Sequence, residues 1–171
     1  MIAADAQAMK RALLVAVLTA CAHATPSRES RDAPLPPVEG RLLDGTTLHL
    51  DALRGRVVVL DVWATWCIPC ARALPEYARL QRELGRDALR VVAMSIDEDD
   101  DEVRRYLARN SSDLTVLRDS GGAIAERLGV RAIPTTFVVD RAGVVRLRED
   151  GFADSAAGEV ESVVRRLVQQ R

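Results

Sequence analysis

Two cysteines separated by two residues offer the clearest chemistry in this 171-residue chain. Cys67 and Cys70 lie in the stretch "WATWCIPC", and the third cysteine, Cys21, lies near the N-terminus. A pair at this spacing can be a structural disulfide, half of a metal site, or a redox couple that opens and closes.

The first two roles fit this pair poorly. A disulfide stabilises a protein mainly by constraining the unfolded chain, and such a short loop constrains it little. A closed zinc site needs about four ligands. Only His23 and His49 could join the cysteines, and they lie in the N-terminal region and in a predicted hairpin. A redox couple without a metal is therefore the favoured interpretation.

The elements around the pair suggest different roles for its two sulfurs. The apolar run "RVVVLDVW", which ends at Trp63, predicts a strand buried on both faces. The segment from Cys67 to Gly85 has helical spacing of its apolar residues. Cys67 then lies at a helix N-terminus, where free N–H groups and the helix dipole stabilise a thiolate. We expect Cys67 to be the nucleophile and Cys70 to resolve the mixed disulfide.

Asp61 interrupts that apolar strand and lies on the same side of it as Trp63. Burial would raise the pKa of such a carboxyl, which would suit it to exchange a proton with Cys70. We therefore predict that Asp61 is a proton acceptor and donor. The alternative is a core carboxylate that is hydrogen-bonded or paired with an arginine.

The rest of the chain alternates between strand-like and helix-like segments. A hairpin is indicated around Asp44-Gly45, two further strands and two helices follow the first helix, and a second hairpin turns at residues 141–143. The final segment carries an apolar helical stripe. This order predicts one α/β domain of three layers, with a central mixed β-sheet flanked by helices. A formal net charge of −1 gives no electrostatic reason to expect nucleic acid.

The N-terminal region has the pattern of an export signal. Two cations precede an uncharged apolar run at residues 12–20, which is too short to span a bilayer. Residues 18–21, "LTAC", resemble the lipobox of bacterial lipoproteins. We therefore predict a signal peptide at 1–20, lipidation of Cys21, a flexible linker at 21–37 and the domain at 38–171. Ordinary cleavage that releases a soluble protein, and translation from Met9, remain alternatives.

Together these motifs resemble the thioredoxin fold and, within it, the exported, membrane-tethered thiol-disulfide oxidoreductases of the TlpA/ResA group. The resemblance covers nearly all of residues 38–170. It is carried by "VVVLDVWATWCIPC", Pro75, "VVAMSID", "GVRAIPTTFVVDRAG" and Gly151. The segment between Asp97 and Arg118 matches a helix-strand insertion of this group.

The resemblance implies further site residues. It implies a cis peptide bond before Pro134, substrate binding near Ile133 and Thr135, and a Trp66 side chain that shields the cysteines. Two positions depart from the group, because Ala73 replaces a frequent glutamate and Asp61 replaces a frequent asparagine.

The function expected from this resemblance is reduction of disulfides in exported proteins, including apocytochrome c during haem attachment. A membrane thiol-disulfide transporter would supply the electrons, because the exported compartment is oxidising. We expect a periplasmic monomer held to the membrane only by lipid, with no cofactor beyond the Cys67–Cys70 couple. A disulfide-forming oxidant and a non-catalytic adaptor with the same fold remain alternatives.

Overall fold

The computed structural model describes residues 32–110 and 114–170. Residues 1–31, with the predicted signal peptide and Cys21, lie outside the described part. A two-stranded hairpin precedes a central five-stranded sheet. The strands are β1 (Glu39–Arg41), β2 (Thr47–His49), β3 (Val57–Trp63), β4 (Leu89–Ser95), β5 (Thr115–Arg118), β6 (Thr135–Val139) and β7 (Val145–Asp150). The α-helices are α1 (Ile68–Leu84), α2 (Asp100–Arg109), α3 (Ala123–Arg127) and α4 (Asp154–Gln169), and a 3₁₀ helix spans Leu50–Leu53.

The central sheet is mixed, as predicted. Its strand order is β5-β4-β3-β6-β7. The β3–β4 and β4–β5 pairs are parallel, and the β3–β6 and β6–β7 pairs are antiparallel. This arrangement confirms the α/β thioredoxin-like fold, and α2 and β5 are the helix and the strand between Asp97 and Arg118.

Strand β3 forms the centre of the molecule because all seven of its residues are buried. Its side chains alternate between the two faces of the sheet. Val57, Val59 and Trp63 join the core under α1 and α4. Val58, Leu60 and Val62 join the core under α3 and the 3₁₀ helix. By this alternation Asp61 lies on the face that α1 covers, with Cys67 and Cys70 at the end of the same core.

The end of the predicted linker, residues 32–35, is hydrogen-bonded to the start of the outer strand β7 and to the turn before it. The Asp32 N–H donates to Val145 O (2.8 Å), the Val145 N–H donates to Ala33 O (2.9 Å), and the Leu35 N–H donates to Gly143 O (3.0 Å). An edge strand presents unpaired backbone groups, and this segment uses them despite its proline-rich composition.

Within the described ranges, no helix has both the length and the apolar character that crossing a bilayer requires.

Candidate active site

The cysteine pair lies at the connection between β3 and α1. Cys67 is the N-cap residue of α1, and its sulfur is bonded to that of Cys70 at 2.04 Å. The Cys67 Sγ also accepts a hydrogen bond from the Cys70 N–H at 3.2 Å. The first turn of a helix has N–H groups without helical partners. A thiolate formed at Cys67 on reduction would therefore be stabilised by these groups and by the helix dipole.

The two cysteines differ in how far they can be reached from outside. Cys70 has no exposed surface, whereas Cys67 is 6% exposed. Trp66 and Ile68 on either side of Cys67 are 67% and 80% exposed. Both cysteines belong to the core beneath α1 and α4. The side chain of Trp66, which the resemblance implies shields them, is largely exposed to solvent. Cys67 is therefore the cysteine of the pair that keeps some exposed surface, and the exposed Trp66 and Ile68 form an apolar rim on either side of it.

The loop before β6 reaches the same edge of the sheet. Val62 near the end of β3 pairs with Thr135 at the start of β6, so the loop before Thr135 lies beside the β3–α1 connection. The Ile133–Pro134 peptide bond is cis, as the resemblance implied. Pro134 is buried, and its carbonyl oxygen accepts the Gly151 N–H at 2.7 Å. This bond holds the Pro134 loop to the end of β7.

Ile133 and Thr135 differ in what they offer a partner. Ile133 is half-buried and packs against both halves of the core. Thr135 has no exposed surface, and its hydroxyl lies 2.7 Å from Ala132 O and 2.9 Å from Asp150 Oδ1. Thr135 also pairs with Val62 on one side and Asp150 on the other, so its side chain and its backbone are both covered within the protein.

Asp61 is buried among apolar groups. It has no exposed surface, and Oδ1 accepts a hydrogen bond from the Thr136 hydroxyl at 2.7 Å. Burial raises the pKa of Asp61 to about 7, and the bond from Thr136 opposes that rise. The neighbouring β4 position is Ala93, which brings no charge. Among the described residues no arginine pairs with Asp61. The structure therefore does not contain the alternative of a buried ion pair between Asp61 and an arginine.

Sequence reasoning missed two groups that meet this carboxyl. Thr136 lies opposite Asp61 on β6, and the Tyr77 hydroxyl lies 3.0 Å from the Thr136 Oγ1. The helical spacing of apolar residues after Cys67 predicts only that Tyr77 lies on the apolar face of α1. Its hydroxyl gives no periodic signal, because what it contacts depends on how α1 packs on the sheet.

A third missed residue, Asp97, holds the loop that precedes Cys67. It is 3% exposed and follows the end of β4. Its carboxylate accepts the Thr65 N–H at 3.0 Å and the Thr65 hydroxyl at 2.7 Å. It also accepts the Ser95 hydroxyl at 2.7 Å, and Ser95 accepts a bond from Arg118. A carboxylate two residues after the end of a buried strand is the available signal in the sequence.

Two other chemistries can be compared with this geometry. In the described part of the chain, no group of three or more His, Cys, Asp or Glu side chains could hold a metal ion. A peroxidase related to this fold would need a threonine three residues before the reactive cysteine. That position is Ala64, and the nearby Thr65 hydroxyl is occupied by Asp97.

Comparison with known proteins agrees with this geometry. The profile of the AhpC/TSA family matches residues 32–148. A thiol-disulfide oxidoreductase ResA from Halalkalibacterium halodurans is 26% identical over 124 residues, which cover 72% of this chain and 70% of that protein. ResA from Bacillus thuringiensis subsp. konkukian is 31% identical over 103 residues, 60% of each chain. The match therefore spans less than two thirds of the length of that second relative.

A solved structure is similar over more of the chain. A Chlorobium tepidum protein assigned as a thiol:disulfide interchange protein DsbE has a TM-score of 0.76 and 28% identity, and the match covers 81% of this chain and 97% of that one. The relatives are named as thiol-disulfide oxidoreductases or interchange proteins, which agrees with the cysteine pair, the cis proline and the mixed sheet of this chain. This protein belongs to the AhpC/TSA family and, within it, to the thioredoxin-fold thiol-disulfide oxidoreductases related to ResA.

Proposed function

We propose that this protein reduces disulfides in exported proteins, cycling Cys67 and Cys70 between dithiol and disulfide. The observation that carries the proposal is the asymmetry of the pair. Cys67 lies at the N-terminus of α1 and reaches the surface, whereas Cys70 is fully buried. One sulfur is thus placed to meet a large partner and the other to finish the exchange inside the protein.

The exchange proceeds in two displacements. The Cys67 thiolate attacks one sulfur of the partner's disulfide, and the other partner sulfur leaves with the bonding electron pair as a thiolate. Cys70 then loses its proton, and its sulfur attacks the Cys67 Sγ. The bond between Cys67 and the partner breaks, and the partner leaves as a second thiolate. The partner gains two electrons, and the Cys67–Cys70 pair becomes the disulfide.

Asp61 supplies the proton acceptor for the second displacement. It lies on the α1 face of β3, and its pKa of about 7 leaves it about half ionised near neutral pH. A base is most effective when its pKa lies close to the working pH. Asp61 in this role takes the proton of Cys70 and returns it when the pair is reduced again.

The partner would dock on the apolar rim beside Cys67. Trp66 contributes the largest exposed apolar surface there, and Ile133 lies next to the cis Pro134 at the same edge. Thr135 would support this edge from within, because the whole residue is buried. A rim of apolar side chains suits an extended segment of an oxidised protein, in which a disulfide is accessible.

The proposed location is the periplasmic side of a bacterial inner membrane, with the protein exported and held by lipid on Cys21. Support comes from the lipobox-like residues 18–21 and from the uncharged apolar run at residues 12–20. Because residues 32–35 are bonded to the sheet, the tether would be residues 22–31, which could reach about 30 Å if fully extended at roughly 3.1 to 3.3 Å each. A monomer on this tether would receive electrons from a membrane thiol-disulfide transporter. Apocytochrome c is the proposed substrate.

The reduction potential of the Cys67–Cys70 couple tests the direction of electron flow. It would be titrated against a glutathione or dithiothreitol buffer. A value near thioredoxin's, about −270 mV, supports a reductant. A value near about −120 mV would assign the protein as a disulfide-forming oxidant and would contradict the proposal.

Trapping tests the roles of the two cysteines. The Cys70→Ser variant should accumulate a mixed disulfide with exported proteins, because the second displacement is blocked. The Cys67→Ser variant is the matched control and should trap none. Equal trapping by both variants would contradict the assigned roles. Full biological activity of a variant without either cysteine would indicate an adaptor instead of an enzyme.

A further inference from the structure

Asp61, Thr136 and Tyr77 form a continuous line of buried hydrogen bonds. The Thr136 Oγ1 lies 2.7 Å from Asp61 Oδ1 and 3.0 Å from the Tyr77 hydroxyl. All three side chains are buried, with 0%, 1% and 3% exposure for Asp61, Thr136 and Tyr77. The three residues come from β3, β6 and α1, so the line exists only because these elements meet under α1.

The direction of these bonds follows from what each group can donate. An ionised carboxylate can only accept, and a threonine hydroxyl has a single proton. Thr136 therefore donates to Asp61 Oδ1, and Tyr77 donates to Thr136. The Oδ2 atom is buried and has no hydrogen-bond partner among the described residues. A proton that reaches this carboxylate is thus taken by Oδ2, while Oδ1 keeps its bond from Thr136.

The hydroxyl line offsets part of the cost of burying a charge. Burial favours the neutral form of Asp61, and a hydrogen bond donated to the charged form favours ionisation. The other groups around Asp61 lie on the elements packed against it. From α1 come Cys70 and Tyr77, with Arg72 further out over the Phe152 ring. Strand β4 brings Ala93, and α4 brings apolar residues such as Val164. From β7, the charge of Glu149 helps to raise the pKa of Tyr77.

We propose that Thr136 and Tyr77 are positioning residues that keep Asp61 able to accept the proton of Cys70 on Oδ2. This inference rests on the proposed function. In the step concerned, the Cys70 S–H bond breaks and its proton passes to Asp61 Oδ2. The Cys70 sulfur forms its bond to Cys67 Sγ, and the partner sulfur leaves as a thiolate with the electron pair of the broken mixed disulfide.

The test compares four variants of the full-length protein. Thr136→Val removes the bond to Asp61, Thr136→Ser restores a hydroxyl, and Tyr77→Phe removes only the outer donor. Tyr106→Phe is the matched control, because Tyr106 is the other tyrosine of the chain and stacks on Trp63 instead. Two quantities are measured for each. One is the pKa of Asp61 in the oxidised protein, from carboxyl carbon NMR; the other is the rate of mixed-disulfide resolution between pH 6 and pH 9.

In Thr136→Val we expect the pKa of Asp61 to rise by about one pH unit. Its ionised fraction at pH 7 would fall from about one half to about one tenth, so resolution would slow about fivefold there. Near pH 9, where Asp61 is ionised in both proteins, the variant should be no slower. Tyr77→Phe should give a smaller change in the same direction. Thr136→Ser and Tyr106→Phe should behave like the wild type.

An unchanged Asp61 pKa in Thr136→Val would overturn the inference, as would an equal loss of rate at every pH, which indicates general structural damage. Failure of the proposed function gives a different result. In that case the wild type itself would not resolve mixed disulfides, whereas the NMR titration would still report whether the two hydroxyls control Asp61.

Discussion

Replacing Asp61 with asparagine should change how the stability of the protein depends on pH. The pKa of Asp61 is raised from 3.8 to about 7 by burial. The folded state therefore binds this proton more tightly than the unfolded state does. The resulting stability is fully present below pH 3.8 and is lost as the pH rises through about 7. An asparagine at this position does not titrate, so the variant should lack this loss.

The magnitude follows from the two pKa values. Each pKa unit corresponds to about 1.36 kcal/mol, so ionisation of the unfolded state costs the wild type about 4 kcal/mol of stability by pH 8. At pH 4 the loss is below about 1 kcal/mol. The asparagine amide lacks an acceptor where Oδ2 stood, which costs about 1 to 3 kcal/mol at every pH. Because this cost of the unpaired amide is the same at both pH values, it cancels when the stabilities at pH 4 and pH 8 are compared. Relative to the wild type, Asp61→Asn should gain about 3 to 4 kcal/mol between pH 4 and pH 8.

Urea unfolding of the oxidised proteins at pH 4, 6 and 8 measures this difference. Trp63 is fully buried and reports the transition by fluorescence. Asp87→Asn is a suitable control because Asp87 is exposed and lies 3.8 Å from Arg56. It makes the same Asp-to-Asn exchange at the surface. If the stability difference between Asp61→Asn and the wild type does not change with pH, the pKa of Asp61 is not raised, and its role as a proton acceptor near neutral pH is wrong.

Two other predictions concern the support of the site. Asp97→Ala should lower the free energy of unfolding by about 2 to 4 kcal/mol, because the Thr65 N–H and the Ser95 hydroxyl lose a buried acceptor. Urea unfolding measures this loss. A loss below about 1 kcal/mol would show that Asp97 does not hold the loop before Cys67. Arg79→Gln should lower the melting temperature more at low salt than in about 1 M NaCl, because Arg79 contacts three glutamates on α1 and α4 and salt screens exposed pairs. Calorimetry at both salt concentrations checks this, and an equal drop would contradict an electrostatic role.

Much of the fold was accessible from local patterns. The valine-rich run at β3 and the helical spacing after Cys67 each depend on neighbours within a few residues, and the structure contains both elements. The same holds for Cys67 at a helix N-terminus. The cis bond before Pro134 came from family resemblance instead, because a proline in a loop has no local signal for its isomer.

The sequence by itself determined the elements, the mixed sheet and the cysteine pair, because hydrophobic periodicity and helix-start signals are properties of adjacent residues. Only the tertiary structure decided what surrounds the buried acid and where the fold begins. Thr136 is 75 residues from Asp61, and Tyr77 is 59 residues from Thr136. Residues 32–35 likewise bind residues 143–145, which are distant in the sequence. Such contacts depend on strand register and helix docking, which bring distant residues together and set their burial.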